Sequence, residues 1–224
     1  LTGKKFSYSM LNDEETIHQF NKDATGVFQF ETRSSLDLIK LIGIDSFEDV
    51  VASVALNRPG PLTLGMHEQY ASNKQNIPTD TPWYKYTKKS FGTLIYQEQA
   101  MAIAREIGGY DPSDADKIAK YDANHIPEDE AIKYRKMFVT NAVKNGLEKE
   151  QANGLFDSML GYSFNRGHAV AYSMLSAELC YFKAHYPDEF WYITLKNEWN
   201  DDKKFRDEAL YINGGGMIFL PHVN

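Results

Sequence analysis

The sequence predicts a mainly α protein, an irregular multi-helix arrangement with one or two short strands. Three observations carry this. Apolar residues recur at three- and four-residue spacing along most of the 224 residues. Period-two alternation is confined to Val27-Phe28-Gln29-Phe30 and Met217-Ile218-Phe219-Leu220. Helix-opening polar residues and helix-ending glycines or prolines separate the periodic stretches.

Taken in order, Leu36, Leu38, Ile39 and Ile42 form a stripe ended by Gly43. Ser46 and Asp49 stand at capping-box spacing before a helix bearing Val50, Val51, Val54 and Ala55. Arg58-Pro59-Gly60-Pro61 ends that helix, because proline lacks the N–H a helix interior requires. Residues 71–90 are polar, carry Pro78 and Pro82, and include Lys85, Lys88 and Lys89; they read as a long loop. Ala100, Ile103, Ala104 and Ile107 share a face of a helix that starts near Tyr96 and stops at Gly108-Gly109. Ser113 and Asp116 repeat the capping-box spacing. Ile132, Val139, Ala142 and Val143 mark a further helix, stopped at Asn145-Gly146. His168, Tyr172, Leu175, Leu179 and Phe182 share a face of a helix reaching Tyr186-Pro187. Residues 200–224 read as an acidic helix, a run of three glycines and an apolar strand without a partner, which implies a fold continuing past Asn224.

Composition narrows the function classes. Hydrophobic residues make up 42% of the chain and aromatics 13%, enough for a core rather than a disordered segment. A net charge of −7 argues against a surface that coats nucleic acid, but leaves room for a local basic groove. One cysteine, Cys180, excludes a disulfide framework and a thiolate zinc site; it lies in an apolar helical pattern and reads as buried and inert, in keeping with a cytoplasmic location. No apolar run approaches the length of a membrane span, no signal peptide is visible, and the start at Leu1 fits a piece of something longer.

Several chemistries are missing. There is no G-x-x-x-x-G-K-[ST] phosphate loop, no G-x-G-x-x-G and no G-x-S-x-G elbow. His67-Glu68 opens like a zinc-protease helix, but Ala71 stands where the second histidine belongs. Asp111, Asp114 and Asp116 are close enough to suggest Mg²⁺, although helix capping explains them as well.

The stretch Gly161-Tyr162-Ser163-Phe164-Asn165-Arg166-Gly167-His168 carries the most chemistry. It delivers a guanidinium and an imidazole to the start of an apolar helix. Helix N-termini attract anions, and the guanidinium fork matches phosphate oxygens. A phosphate or nucleotide site and a plain surface loop with a solvated arginine are both open on these residues alone.

Four further stretches decide between them: Thr25-Gly26-Val27-Phe28-Gln29-Phe30-Glu31, Val54-Ala55-Leu56-Asn57-Arg58-Pro59-Gly60-Pro61-Leu62, Phe91-Gly92-Thr93-Leu94-Ile95-Tyr96-Gln97-Glu98-Gln99-Ala100-Met101, and Phe182-Lys183-Ala184-His185-Tyr186-Pro187-Asp188-Glu189-Phe190. In this order, together with residues 161–172, they resemble the bacterial C-family replicative DNA polymerases, the alpha subunits of DNA polymerase III, and their DnaE-type branch in particular. The resemblance covers nearly the whole chain.

The resemblance implies a palm-proximal segment over 1–45, a helical fingers domain over 46–199 and a tail over 200–224 that enters a following domain. It implies that the fingers close over the incoming dNTP and help hold primer–template DNA. Nucleotidyl transfer then uses two Mg²⁺ ions held by palm residues outside this chain. This segment alone is therefore expected to be inactive. The palm and other domains of the polymerase are implied partners, as is a sliding clamp reached through the full-length protein; no membrane partner is implied.

Residue by residue, Tyr162 matches a tyrosine near the incoming base and His168 a histidine near the sugar, where it obstructs a 2′-hydroxyl. Arg166 falls where the family has lysine. Arg58 and Gln97 match residues that either touch nucleotide or pin a turn and cap a helix. Ala119 and Lys120 stand where the family has adjacent arginines on the triphosphate, and Asn124, His125 and Ile126 replace lysines. Losing one charge-assisted phosphate contact costs about 1.5–3 kcal/mol, roughly ten- to a hundredfold. Lys117, one turn away, is the candidate to compensate. The competing reading is a catalytically inactive helical module that binds DNA or a replisome protein.

Overall fold

The computed structural model describes residues 2–120, 127–161 and 163–214. In chain order these form α1 (Glu14–Lys22), α2 (Arg33–Ile42), α3 (Phe47–Leu56), α4 (Pro59–Thr63), α5 (Met66–Gln75), α6 (Tyr84–Thr87), α7 (Gln97–Glu106), α8 (Pro112–Lys120), α9 (Glu128–Lys144), α10 (Lys149–Gly161), α11 (Arg166–His185), α12 (Pro187–Asn197) and α13 (Asp202–Gly214). Short 3-10 turns lie at Tyr8–Met10 and Lys88–Ser90. The mainly α class follows. Extended pairing among the described residues is a single bridge, Tyr96 to Phe164. No helix among them is long and apolar enough to cross a membrane.

Val27–Phe30 is not a strand. Gly26 has φ +76° and Gln29 φ +71°, and the amides of Val27 and Phe30 donate to the Ala24 and Val27 carbonyls. Two consecutive turns thus send both Val27 and Phe30 into the core, where alternation had suggested a pleat. The second candidate strand, Met217–Leu220, lies outside the described residues. The long loop expected over 71–90 is also shorter. α5 runs on to Gln75 and α6 begins at Tyr84, because Pro78 and Pro82 break only the segment between them. The Arg58-Pro59-Gly60-Pro61 break is real, yet Pro59 immediately opens α4 from an extended Arg58. Proline is tolerated in a first turn, where the N–H has no partner to lose.

The chain divides into two units. One comprises Leu1–Lys40, Ile44–Phe47 and Ser173–Asn224. In it, Asp13 caps α1 by accepting from the Thr16 amide at 2.9 Å and also meets His185 Nε2 at 2.8 Å. Trp191 packs against Gly26, where a Cβ would come within 3.1 Å of the indole. Lys183 is buried, with its ammonium on Asp23 and on the Thr25 carbonyl and 5.0 Å from the Trp191 ring centre. Cys180 is buried and free, and burial pushes its thiol well above the usual range.

The other unit comprises Leu41–Gly43 and Glu48–Tyr172. Its core gathers Ile103, Ile107, Ile118, Phe138, Leu155 and Phe156 from α7, α8, α9 and α10. Gly108 is required there, because a Cβ would meet Phe138 at 2.5 Å and the Ala104 carbonyl at 2.6 Å. On α9 the inward residues are Phe138 and Ala142, whereas Ile132 is 61% exposed and Val143 45% exposed. The capping-box reading of Ser113 and Asp116 is replaced. Asp111 accepts from the Ser113 and Asp114 amides at 2.8 and 2.9 Å ahead of Pro112, and Asp116 pairs with Lys120. Asp49 is buried in an ion pair with Lys74 at 3.1 Å and accepts the Tyr70 hydroxyl at 2.9 Å.

Along α11 the buried positions are Ala169, Ser173, Ser176, Ala177, Cys180 and Lys183, while Leu175 is 51% exposed. Small residues allow close packing, so this face turns inward in place of the His168–Phe182 stripe read from the spacing.

Candidate nucleotide site around Phe164

The site lies within the Glu48–Tyr172 unit and is assembled around Phe164. The Phe164 amide donates to the Ile95 carbonyl at 2.8 Å, and its own carbonyl accepts from the Gln97 amide at 3.0 Å. This bridge fixes the loop before α11 against the segment that opens α7. Gln99 secures the same corner, since its Oε1 accepts from the Ile95 and Tyr96 amides at 2.9 Å. The loop is anchored on its other side by Ser163, whose hydroxyl donates to the Ala119 carbonyl near the end of α8.

Around the Phe164 ring stand several residues picked from the sequence. The Arg58 guanidinium lies 5.6 Å from its centre and the His168 ring 5.5 Å, with Tyr172 a further 4.1 Å from His168. His168 is exposed. The cap of α11 is Asn165 and not the imidazole, because Asn165 Oδ1 accepts from the His168 amide at 2.8 Å.

Arg166 is held more tightly than a solvated loop arginine. One terminal nitrogen donates to both carboxylate oxygens of Glu48 at 2.8 Å. Its amide donates to the Glu98 carboxylate at 3.1 Å. Its guanidinium carbon lies 5.7 Å from the Tyr96 ring centre. Lys89 reaches Glu48 from the other side at 3.4 Å. A cleft of about 230 Å³ opens here, lined by Arg166, Tyr96, Lys89, Glu98 and Tyr86 among others.

Two buried donors on this cleft, Arg166 Nε and the Tyr96 hydroxyl, have no hydrogen-bond partner among the described residues. Burial pushes the Tyr96 phenol well above its usual range; Glu48 adds to the rise and Arg166 opposes it, so the group remains an O–H donor. Two buried donors without a partner are uncommon, and both belong to residues that line the cleft.

The structure therefore brings Arg58, Gln97, Arg166 and His168 together. Lys120 and Lys117 lie on α8, where they pair with Asp116 at 2.7 Å and Asp114 at 3.4 Å. Their helix is joined to the site through Ser163 and Ala119. Tyr162 lies outside the described residues, as do Asn124, His125 and Ile126. Glu48, Lys89 and Tyr96 were not singled out from the sequence. Glu48 stands 118 positions from Arg166, and no local pattern signals such a pair. Among the described residues no three of His, Cys, Asp and Glu come together to hold a metal ion. Each member of the Asp111, Asp114 and Asp116 trio is instead used in a cap, an ion pair or both.

Comparison with known proteins bears directly on this arrangement. A family model described as the bacterial DNA polymerase III alpha subunit finger domain matches residues 3–146. The chain belongs to this family. That span includes Arg58, Gln97, Lys117 and Lys120. The DNA polymerase III subunit alpha of Aquifex aeolicus is 37% identical over 97% of the chain, which also takes in Arg166 and His168. The subunits of Escherichia coli K12 and of Neisseria meningitidis are 36% and 34% identical over 89% and 93% of the chain. In each case the chain spans about one fifth of the relative's length: 18% in the first two and 19% in the third.

Proposed function

We propose that this finger domain serves a DNA-directed DNA polymerase by holding the incoming deoxynucleotide, and with it the template, for nucleotidyl transfer. The observation that carries the reading is a cleft at the α11 N-terminus lined by Arg166 and Tyr96, each of which keeps a buried donor, Nε and Oη, without a partner. A triphosphate oxygen is an acceptor of the kind they lack, and the guanidinium favours it by charge. His168, exposed and with its ring 5.5 Å from that of Phe164 and 4.1 Å from that of Tyr172, is assigned the sugar by resemblance. Arg58 and Gln97 hold the Phe164 loop from behind. Lys120, at the end of α8, takes the place of one arginine of the family's pair, and Lys117 supports it. Tyr162 is assigned the incoming base by resemblance alone.

By resemblance, the chemistry of phosphoryl transfer is assigned to Mg²⁺ ions bound by palm residues outside this chain. This segment by itself binds and orients. Primer–template DNA and the palm are its proposed partners, with a sliding clamp reached through the full-length protein.

A second reading is a non-enzymatic module that binds DNA or a replisome protein. It is favoured by the carboxylates already on the cations: Glu48 on Arg166 and Asp116 on Lys120.

Primer extension by the full-length protein separates the two. Lys120→Ala and Arg166→Ala are expected to raise the deoxynucleotide KM about tenfold, the equivalent of one charge-assisted contact, with template affinity little changed. Unchanged KM and kcat in both variants, or no incorporation by a folded wild type, overturns the first reading in favour of the second.

A further inference from the structure

Lys89 lines the Arg166 cleft from the 3-10 turn Lys88–Ser90. That turn is fixed from within. Ser90 is buried, and its hydroxyl accepts from the Gln99 side-chain amide at 2.7 Å and donates to the Thr93 carbonyl. Gln99 Oε1 is the same atom that receives the Ile95 and Tyr96 amides. One side chain thus ties the root of Lys89 to the corner that carries Phe164. The tip is free by comparison: the Lys89 side chain is 66% exposed, on a flexible four-carbon stem.

Lys89 and Arg166 meet on one carboxylate. Glu48 accepts from Arg166 at 2.8 Å through both oxygens, and from Lys89 Nζ at 3.4 Å through Oε1. The Lys89 contact is long, since a charge-assisted bond of this kind ordinarily spans about 2.7–2.9 Å. It is the one contact that the ammonium makes with a carboxylate among the described residues. Glu98 holds the Arg166 amide at 3.1 Å, at the start of α11. The two carboxylates cancel the two cations, so an incoming anion gains attraction only by taking the place of Glu48. A phosphate can do so. It offers more oxygens and more charge than a carboxylate, and can meet a guanidinium and an ammonium together.

Size points the same way. The cleft holds about 230 Å³, below the roughly 300–1,000 Å³ of pockets that enclose a whole small ligand. It suits one end of a nucleotide, and the cations select the phosphate end.

We propose that Lys89 is a second phosphate-binding residue of this site. It closes with Arg166 on one phosphate of the incoming deoxynucleotide, and Glu48 is the group that this phosphate displaces. The proposal rests on the reading of the cleft as the nucleotide site and adds a residue to it. Lys89 binds and orients; it takes no part in bond making.

The test is single-nucleotide primer extension by the full-length protein, with inorganic tripolyphosphate and the matching deoxynucleoside as competitive inhibitors. Lys89→Ala should raise the deoxynucleotide KM about fivefold, with kcat within about twofold. It should weaken inhibition by tripolyphosphate by the same factor and leave inhibition by the deoxynucleoside unchanged. Lys89→Arg keeps the charge and should stay within about twofold of wild type. If Lys89 merely steadies Glu48, Lys89→Ala has no effect once Glu48→Gln has removed their ion pair. A phosphate contact predicts that the rise of about fivefold persists in that background. Loss of the effect with Glu48→Gln, or an unchanged KM and tripolyphosphate inhibition in Lys89→Ala, overturns the proposal. Arg166→Ala is measured in parallel. If neither single variant moves the KM, the nucleotide reading of the cleft fails; if Arg166→Ala moves it and Lys89→Ala does not, the role of Lys89 alone fails.

Discussion

The Arg166 guanidinium meets both carboxylate oxygens of Glu48 at 2.8 Å, joining the start of α11 to the first turn of α3 across 118 residues of chain. The partners' side chains are 29% and 34% exposed, so water weakens the pair without dissolving it. A carboxylate on a guanidinium also opposes any anion that seeks the same group.

Glu48→Gln should therefore act in two directions at once. Stability is expected to fall by about 1 kcal/mol, the scale of a partly exposed pair, read from urea denaturation. The deoxynucleotide KM in primer extension is expected to fall about two- to fivefold, because a competitor for Arg166 has been neutralised. A rise in KM would show that Glu48 positions Arg166 for the nucleotide.

Asp49 and Lys74 form a deeper pair, with side chains 1% and 13% exposed. Asp49→Asn leaves an acceptor for the Tyr70 hydroxyl but removes the charge that faces the Lys74 ammonium, which keeps the Gly43 carbonyl as a neutral partner. Breaking a buried pair from one side costs about 3–5 kcal/mol. Asp49→Asn combined with Lys74→Met should recover part of that loss. Denaturant midpoints of the two single variants and the double variant test this, and strict additivity would mean the two groups do not interact.

Acid should weaken the unit that holds Asp23. Burial pushes the Asp23 carboxyl up, but hydrogen bonds from Lys183, Tyr211 and Thr25 outweigh burial and hold it below the usual 3.8. At Lys183 burial wins over the attraction of Asp23, and the ammonium pKa falls below its usual value. For a carboxylate with a depressed folded pKa, stabilisation is complete above the unfolded value and lost as pH falls through the folded one. Asp23→Asn should cost about 3 kcal/mol at neutral pH. The gap between wild type and variant should close as pH falls below about 4, as urea titrations across that range would show. A gap independent of pH would remove Asp23 as the titrating group.

Much of this molecule is legible from short-range pattern. Helical class, the stops at Gly43 and Gly108-Gly109, and the start of α11 beside Arg166 and His168 all follow from spacing and end chemistry. These act within a turn or two of the residues concerned. The same reasoning failed where two local codes overlap. Val27–Phe30 alternates like a strand, yet Gly26 and Gln29 at positive φ turn the chain twice. Ser113 resembles a cap, but Pro112 in the first turn leaves that role to Asp111.

Family membership and the list of chemically able residues were likewise present in the amino-acid order. Their partners were not. That Glu48 neutralises Arg166, that Glu98 accepts from the first amide of α11, that Asp49 is buried against Lys74, and that α11 turns its small-residue face inward all required the folded chain. Charge pairing and burial depend on which segments meet in space, and segments dozens of residues apart leave no local trace of that meeting.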